Sequence, residues 1–439
     1  MTKDEKYILA KWAVDHAVEN GAQQAKVSIY DSQSSSVEVR EEKIDKLEQS
    51  TQSELTISLY VDNKYSSHST NRLNDKKELA RFIEEGIAGT RYLAEDEFRM
   101  LPDPELYYKG EGPDLNTYDE DFLSVDPQTK IDMAFNVEKE VLGQDDRVIS
   151  VTASYSDGMS GMVMVTSNGF EGDMANTYFG LNAAVSVKGG DARPSANWSE
   201  SALFHKKLKT KGIGKLAMEK ALKKIGQAKI GTGKMPMIIE NRLASQSLRP
   251  MISALNGSAI QQKRSFLVGK LNEKIGSDKL NLIDDPFIIS GRGSSLFDNE
   301  GLALKKRTIF EKGVLKSYYI DTYYGKKLGM DPTTGSTSNL IFEPGEKTLE
   351  EMIASMDRGI LISGFNGGNS SGATGDFSYG IDGFLVEGGK IIKPVSEMNI
   401  TGNFNDLWMN LVEVGSDVYE NSAWRMPSLR FNNVDFSGI

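Results

Sequence analysis

Residues 359–404, GILISGFNGGNSSGATGDFSYGIDGFLVEGGKIIKPVSEMNITGNF, constrain this chain more than any other stretch, because nine glycines fall between Gly364 and Gly389. Helix interiors and ordinary strands do not tolerate that density, since each glycine forfeits backbone entropy and side-chain packing. Short β-type runs flank it, residues 360–362 before and residues 383–386 and 391–392 after, with Glu387-Gly388-Gly389-Lys390 as a hairpin turn. The pattern predicts a long glycine-rich loop pinned at both ends to sheet.

The rest of the chain is read around that stretch. Residues 4–20 place Ile8, Leu9, Trp12, Ala13, His16 and Ala17 at helical spacing and stop at Gly21. From Lys26 the period drops to two (Val27/Ile29, Val37/Val39, Leu55/Ile57/Leu59/Val61), with residues 32–36 and Asp62-Asn63 as breaks, which predicts a four-stranded antiparallel meander. Helical spacing returns over residues 76–93. Residues 101–127, with four prolines, read as a connection. Asp126-Pro127 opens a helix running to Gly143, strand-like runs follow at 148–155, 161–166 and 178–187, and residues 211–224 read as a further helix. Met237-Ile238-Ile239 then starts a half dominated by short strands and glycine turns. The fold class expected is α+β, a sheet-plus-helices N-terminal part followed by a β-rich C-terminal domain, divided into residues 1–100, 101–230 and 231–439.

Charge and composition exclude several function classes. A net charge of −11 with a pI near 5.1 argues against nucleic-acid binding, which needs basic surface to displace counterions from phosphates. Zero cysteines rule out disulfides and thiolate metal ligands. Two acids stand in the first six residues, where an export signal would be basic, and no run is long and apolar enough to span a membrane. A cytoplasmic location is expected.

Chemical motifs are sparse. His16, His68 and His205 sit on unrelated segments without a second ligand at helical spacing and read as structural. Gly368-Asn369-Ser370-Ser371-Gly372 matches G-x-S-x-G, but a nucleophile elbow also needs a following helix and a later histidine, and His205 is the last one. The dinucleotide-like Gly212-Ile-Gly214-Lys-Leu-Ala217 lacks an apolar strand before it and reads as a helix start. Eight lysines in residues 206–224 form either a solvated helix face or a docking patch for an acidic partner.

Two blocks carry a family resemblance. The first is Ala373-Thr374-Gly375-Asp376-Phe377-Ser378-Tyr379-Gly380 with Glu387-Gly388-Gly389-Lys390, Pro394-Val395-Ser396-Glu397 and Thr401-Gly402-Asn403-Phe404. The second is Phe297-Asp298-Asn299-Glu300-Gly301 with Arg307-Thr308 and residues 312–318. Together they resemble the PmbA/TldE branch of the TldD/PmbA proteins, once called modulators of DNA gyrase. In the TldD branch a His-Glu-x-x-x-His helix and a downstream cysteine hold zinc. The resemblance puts Arg249, Pro250 and Ala254 at the His, Glu and His positions and leaves the cysteine without a counterpart. It implies a non-catalytic subunit without zinc or any other cofactor of its own, inactive alone, paired with a TldD-like zinc metallopeptidase in a cytoplasmic complex that degrades unfolded peptides. The other readings are an autonomous peptidase with an unrecognised site and a binding or scaffold protein; a homodimer is the alternative assembly without the partner. Asp298, Glu300, Gly372, Thr374, Gly375, Asp376, Ser378 and Gly380 are the candidate peptide- or partner-contacting residues, with no catalytic and no metal-binding residue expected. The glycine-rich stretch is either a turn closing the C-terminal sheet or a wall that another backbone approaches.

Overall fold

The computed structural model describes residues 1–438. Helix α1 (Lys3–Glu19) opens the chain, and Thr2 and Glu5 cap each other's backbone N–H groups as the T-x-x-E spacing encodes. Strands β1 (Gln24–Arg40), β2 (Lys43–Val61) and β3 (Lys64–Thr70) follow, then α2 (Lys76–Thr90). After a connection with little regular structure, the Asp126 side chain caps α3 (Pro127–Lys139). Next come β4 (Val148–Thr166), β5 (Glu171–Val187), β6 (Ser195–Ala202) and α4 (Ile213–Lys223). The six strands make one antiparallel sheet in the order β3-β2-β1-β4-β5-β6.

The expected four-stranded meander is replaced by three longer strands. Residues 32–36 do not break β1; they pair with residues 48–52 of β2 and with residues 156–160 of β4. Ladder hydrogen bonds join backbone to backbone, so a polar run between two partners remains strand. For the same reason the predicted runs 148–155 and 161–166 are one strand. Parity then organises the core. Val27, Ile29, Val37 and Val39 share one face of β1, as Ala153, Tyr155, Val163 and Val165 do on β4. Helices α1 and α2 cover one end of that face, and α3 and α4 cover the other. At Met162 and Met164, on the opposite face, Phe170 and Tyr107 pack with Phe297 from the C-terminal part.

The C-terminal part is β-rich. It runs through β7 (Gly233–Ile239), α5 (Asn241–Ala254), α6 (Gly257–Gln261), β8 (Leu282–Asp284), β9 (Arg307–Glu311), β10 (Val314–Leu315), α7 (Thr322–Leu328) and β11 (Leu340–Phe342). It continues with α8 (Leu349–Ala354), β12 (Arg358–Ser370), β13 (Asp376–Glu387), β14 (Lys390–Asn403), α9 (Phe404–Met409), β15 (Leu411–Val414), β16 (Trp424–Arg425) and β17 (Leu429–Ser437). A small sheet has the order β10-β9-β8-β11-β16. The larger one, β14-β13-β12-β7-β17-β15, closes into a barrel because β14 also pairs with β17. Closure takes away the free edge of β14 and leaves only the short β15 at an edge where a stray strand could add.

The glycine-rich stretch is therefore a hairpin of two barrel strands with its tip at residues 371–375, rather than a long loop. Glycine concentrates there because the β12–β13 ladder slips register between Ile362 and Gly364 and between Phe365 and Gly368, and the β13–β14 ladder between Ile381 and Gly383, and such bulges bend strands tightly enough to close a barrel. Gly368 has φ +121°, and a Cβ there would lie 2.2 Å from the Ser378 carbonyl oxygen. The Gly388-Gly389 turn is as expected, both residues with positive φ.

Candidate functional site

Helix α5 lies against the barrel strands, burying Ala244, Leu248, Met251 and Ile252. Its outer residues face a cavity of about 580 Å3. Arg249, Pro250 and Ser253 form one wall, and Phe365, Phe377, Tyr379, Ile400 and Phe404 from the barrel hairpin and the start of α9 form the other. The aromatic wall is continuous. Phe377 stacks on Tyr379 at 5.7 Å and meets Phe404 at 4.8 Å, and Phe365 sets its ring across Tyr379 at 6.0 Å. Arg249 is exposed, with its guanidinium 5.1 Å from the Trp424 ring. Pro250 lacks an N–H, so the Gln246 carbonyl loses its helical donor beside the cavity.

Gln246 and Phe365 also line a larger cleft of about 1230 Å3 between the first sheet and the barrel, so the two spaces adjoin. Arg242 crosses the cleft, held between Trp198 at 3.8 Å and Tyr419 at 4.4 Å and paired with Glu200 at 2.9 Å. Lys220 bonds Glu240 and Lys224 bonds Asp382, each at 3.1 Å. The basic segment after residue 205 thus spends part of its charge tying α4 to the barrel, and Lys206 pairs with Asp121.

The candidate residues named from sequence fall into two separate places. Gly372 lines the cavity. Thr374, Gly375 and Asp376 build the hairpin tip beside it: Thr374 Oγ1 donates to Asp376 Oδ2 at 2.6 Å, and Asn403 Nδ2 donates to the Thr374 carbonyl at 2.8 Å and to Asp376 Oδ1 at 3.0 Å. Those two side chains hold the Asp376 carboxyl below the usual carboxylate range. Gly375 is left-handed, with φ +82°. Ser378 and Gly380 sit in β13, paired with Thr401 and Asn399, and Gly380 is outside the left-handed region.

Asp298 and Glu300 lie elsewhere, in a turn next to Phe297 where the C-terminal part meets the first sheet. Asp298 Oδ1 accepts from the backbone N–H of Glu300 at 2.8 Å and of Leu302 at 3.0 Å, and Lys26 Nζ donates to the Asn299 carbonyl at 2.8 Å. Glu300 Oε2 accepts from the Thr322 N–H at 2.8 Å. Burial pushes the Glu300 carboxyl up to about 7, with Asp298 and Asp321 adding to the rise, and burial also raises Asp298. This acidic turn does not line the cavity.

The remaining motifs resolve structurally. Ser370 ends β12 and is followed by the hairpin tip, so no elbow forms. The Gly212 and Gly214 N–H groups at the start of α4 donate to Glu140 at 2.7 and 2.8 Å, so a carboxylate of the chain itself takes the place a phosphate would need. His16 contacts Glu84, His68 contacts Ser66, and His205 lies edge-on to Phe179. Among the described residues no three His, Cys, Asp or Glu side chains gather as a metal site, and no helix is long and apolar enough to cross a membrane. Sequence reasoning missed the cavity wall. Its signal was the inward-facing aromatic alternation Phe377/Tyr379, with Phe365 and Phe404 on the neighbouring elements.

Comparison with known proteins gives a consistent result. Three segments match PmbA/TldA metallopeptidase domains: domain 1 at residues 25–89, the central domain at 120–225 and the C-terminal domain at 232–438. A metalloprotease PmbA homolog of Haemophilus influenzae is 28% identical over 432 residues, covering 97% of this chain and 95% of that protein. A Bacteroides thetaiotaomicron structure designated a modulator of DNA gyrase is 52% identical, with a TM-score of 0.97 and 100% of both chains covered. TldE from Thermococcus kodakarensis shares the fold, with a TM-score of 0.87 at 19% identity over 98% of this chain and 100% of that one.

Proposed function

The chain belongs to the PmbA/TldD metallopeptidase family, and on that premise we propose that it is a non-catalytic, peptide-holding subunit working with a TldD-like chain that carries the zinc. Helix α5 carries the argument. The positions that the family resemblance assigns to the His-Glu-x-x-x-His motif hold Arg249 and Pro250 on the cavity wall and the buried Ala254. A peptidase zinc needs neutral imidazole, thiolate or carboxylate donors and a base beside its water. A guanidinium, a proline ring and a methyl group supply none of these, and the fixed positive charge of Arg249 repels a divalent cation. The residues do not fit zinc, so the chain is assigned no hydrolytic step.

What the site retains supports holding a substrate. The aromatic wall, the hairpin tip and the adjoining cleft make a groove that an extended peptide can enter, while the partner supplies metal, ligands and base. The assembly is proposed to be cytoplasmic. Light scattering during size-exclusion chromatography tests the pairing. An equimolar mixture with a TldD-like protein from the same source is expected to elute as a complex containing both chains; separate elution at micromolar concentration contradicts the reading.

A further inference from the structure

The cavity beside α5 and the cleft that adjoins it differ in charge from the rest of this acidic protein. Seven basic side chains line the combined space against three acidic ones, in a chain of net charge −11. The three acids are all matched: Glu240 by Lys220, Asp382 by Lys224 and Glu397 by Lys229. Arg193, Lys223, Lys393 and Arg249 are exposed and form no ion pair among the described residues. Cations concentrated in a cleft with low-dielectric walls focus the field and draw in groups of opposite sign.

The apolar lining points to the rest of the ligand. Ile391 and Ile392, 50% and 52% exposed, line the cleft, and the aromatic cavity adjoins it at Phe365. We infer that this groove selects unstructured acidic peptides, taking one large apolar side chain of the peptide against Phe365, Phe377 and Tyr379 while neighbouring Asp or Glu residues meet Arg249, Lys223, Lys393 and Arg193. The inference rests on the peptide-holding reading and adds to it the class of substrate. An oligonucleotide fits less well, because its phosphates would run on past the groove over the surface of a chain of net charge −11.

The test uses the full chain alone, so that it does not depend on the partner. Fluorescence anisotropy compares three labelled flexible peptides: one rich in Asp and Glu around a central Phe, one with Lys in place of the acids, and one with Ser in place of the Phe. The acidic Phe peptide is expected to bind at least about tenfold tighter than either of the others and to weaken as salt is added. Lys223→Glu with Lys393→Glu should weaken it about tenfold without unfolding the protein, since both side chains are exposed. Arg249→Glu should act in the same direction. Equal binding of acidic and basic peptides, no binding, or unchanged affinity in the charge-reversed variants overturns the inference, and tighter binding of a single-stranded oligonucleotide than of the acidic peptide reassigns the groove to polyanions. If the acidic peptide fails here while the chain still forms its complex with a TldD-like protein, the subunit reading stands and only the substrate class falls.

Discussion

Glu300→Gln is the perturbation for which the structure sets both a magnitude and a pH window. The Glu300 carboxyl is raised from 4.5 to about 7, chiefly by burial and then by Asp298 and Asp321. Tyr60 and Tyr107 share its surroundings, and Lys26 bonds the neighbouring Asn299 carbonyl rather than the Glu300 carboxyl. Between pH 4.5 and about 7 the folded chain keeps a proton that the unfolded chain has released, so stability falls as pH rises through this window. At about 1.4 kcal/mol per unit the full cost above the window is about 3 kcal/mol, which the partial exposure of Glu300 reduces to about 2 kcal/mol. A glutamine carries no charge, yet its amide oxygen can still accept from the Thr322 N–H. Urea denaturation of both proteins from about pH 4 to pH 9 is the assay. The variant should match the wild type at the acid end and exceed it by about 2 kcal/mol above about pH 8. Parallel curves, or a less stable variant at high pH, would refute the reasoning, because Glu300 would then be stabilised as the anion.

Four further outcomes are expected. Gly375→Val should cost about 1–3 kcal/mol, because the residue is left-handed and its new Cβ would lie 3.1 Å from Phe266 Cγ and 3.2 Å from Asn403 Oδ1. Gly380→Val should cost under about 1 kcal/mol, its nearest contact being the Asn366 carbonyl at 3.4 Å; equal melting of the two variants contradicts this. Lys130→Met strands the buried Asp157 carboxylate, which keeps only hydrogen bonds from Ser35 and Tyr155, and should lower stability by about 3 kcal/mol; an unchanged urea midpoint would show that the ion pair contributes nothing. Elemental analysis of protein purified without chelator should find no stoichiometric zinc, and one zinc per chain retained through dialysis contradicts the reading of α5.

Local structure was legible wherever its cause was local. The apolar spacing from Ile8 to Ala17 announces α1, and Asp126 before Pro127 announces α3, because spacing and capping are decided within a turn or two. The two consecutive positive-φ glycines at 388 and 389 likewise announce a hairpin turn. Residues 32–36 misled because their strand is held by partners about 16 and 124 positions away in sequence, which no short window contains. The glycine-rich stretch misled for a related reason: glycine marks backbone freedom, but whether that freedom makes a loop or a run of bulges depends on barrel closure between β14 and β17. At the site, the family blocks pointed to the hairpin tip, of which Gly372 lines the cavity. They also pointed to Asp298 and Glu300, which lie outside that cavity in the turn after Phe297, where the two parts of the molecule pack together. The cavity wall stayed hidden because Arg249, Phe377 and Phe404 meet only in three dimensions.

The central claim is that this chain contributes to peptide cleavage without performing it. A disordered peptide should be incubated with the chain alone, with a TldD-like protein from the same source alone, and with the two together, each with and without a chelator. No cleavage is expected from the chain alone, and cleavage by the mixture should exceed the partner's own and stop when zinc is removed. Cleavage by the isolated chain, or partner activity that is the same with and without it, would contradict the account.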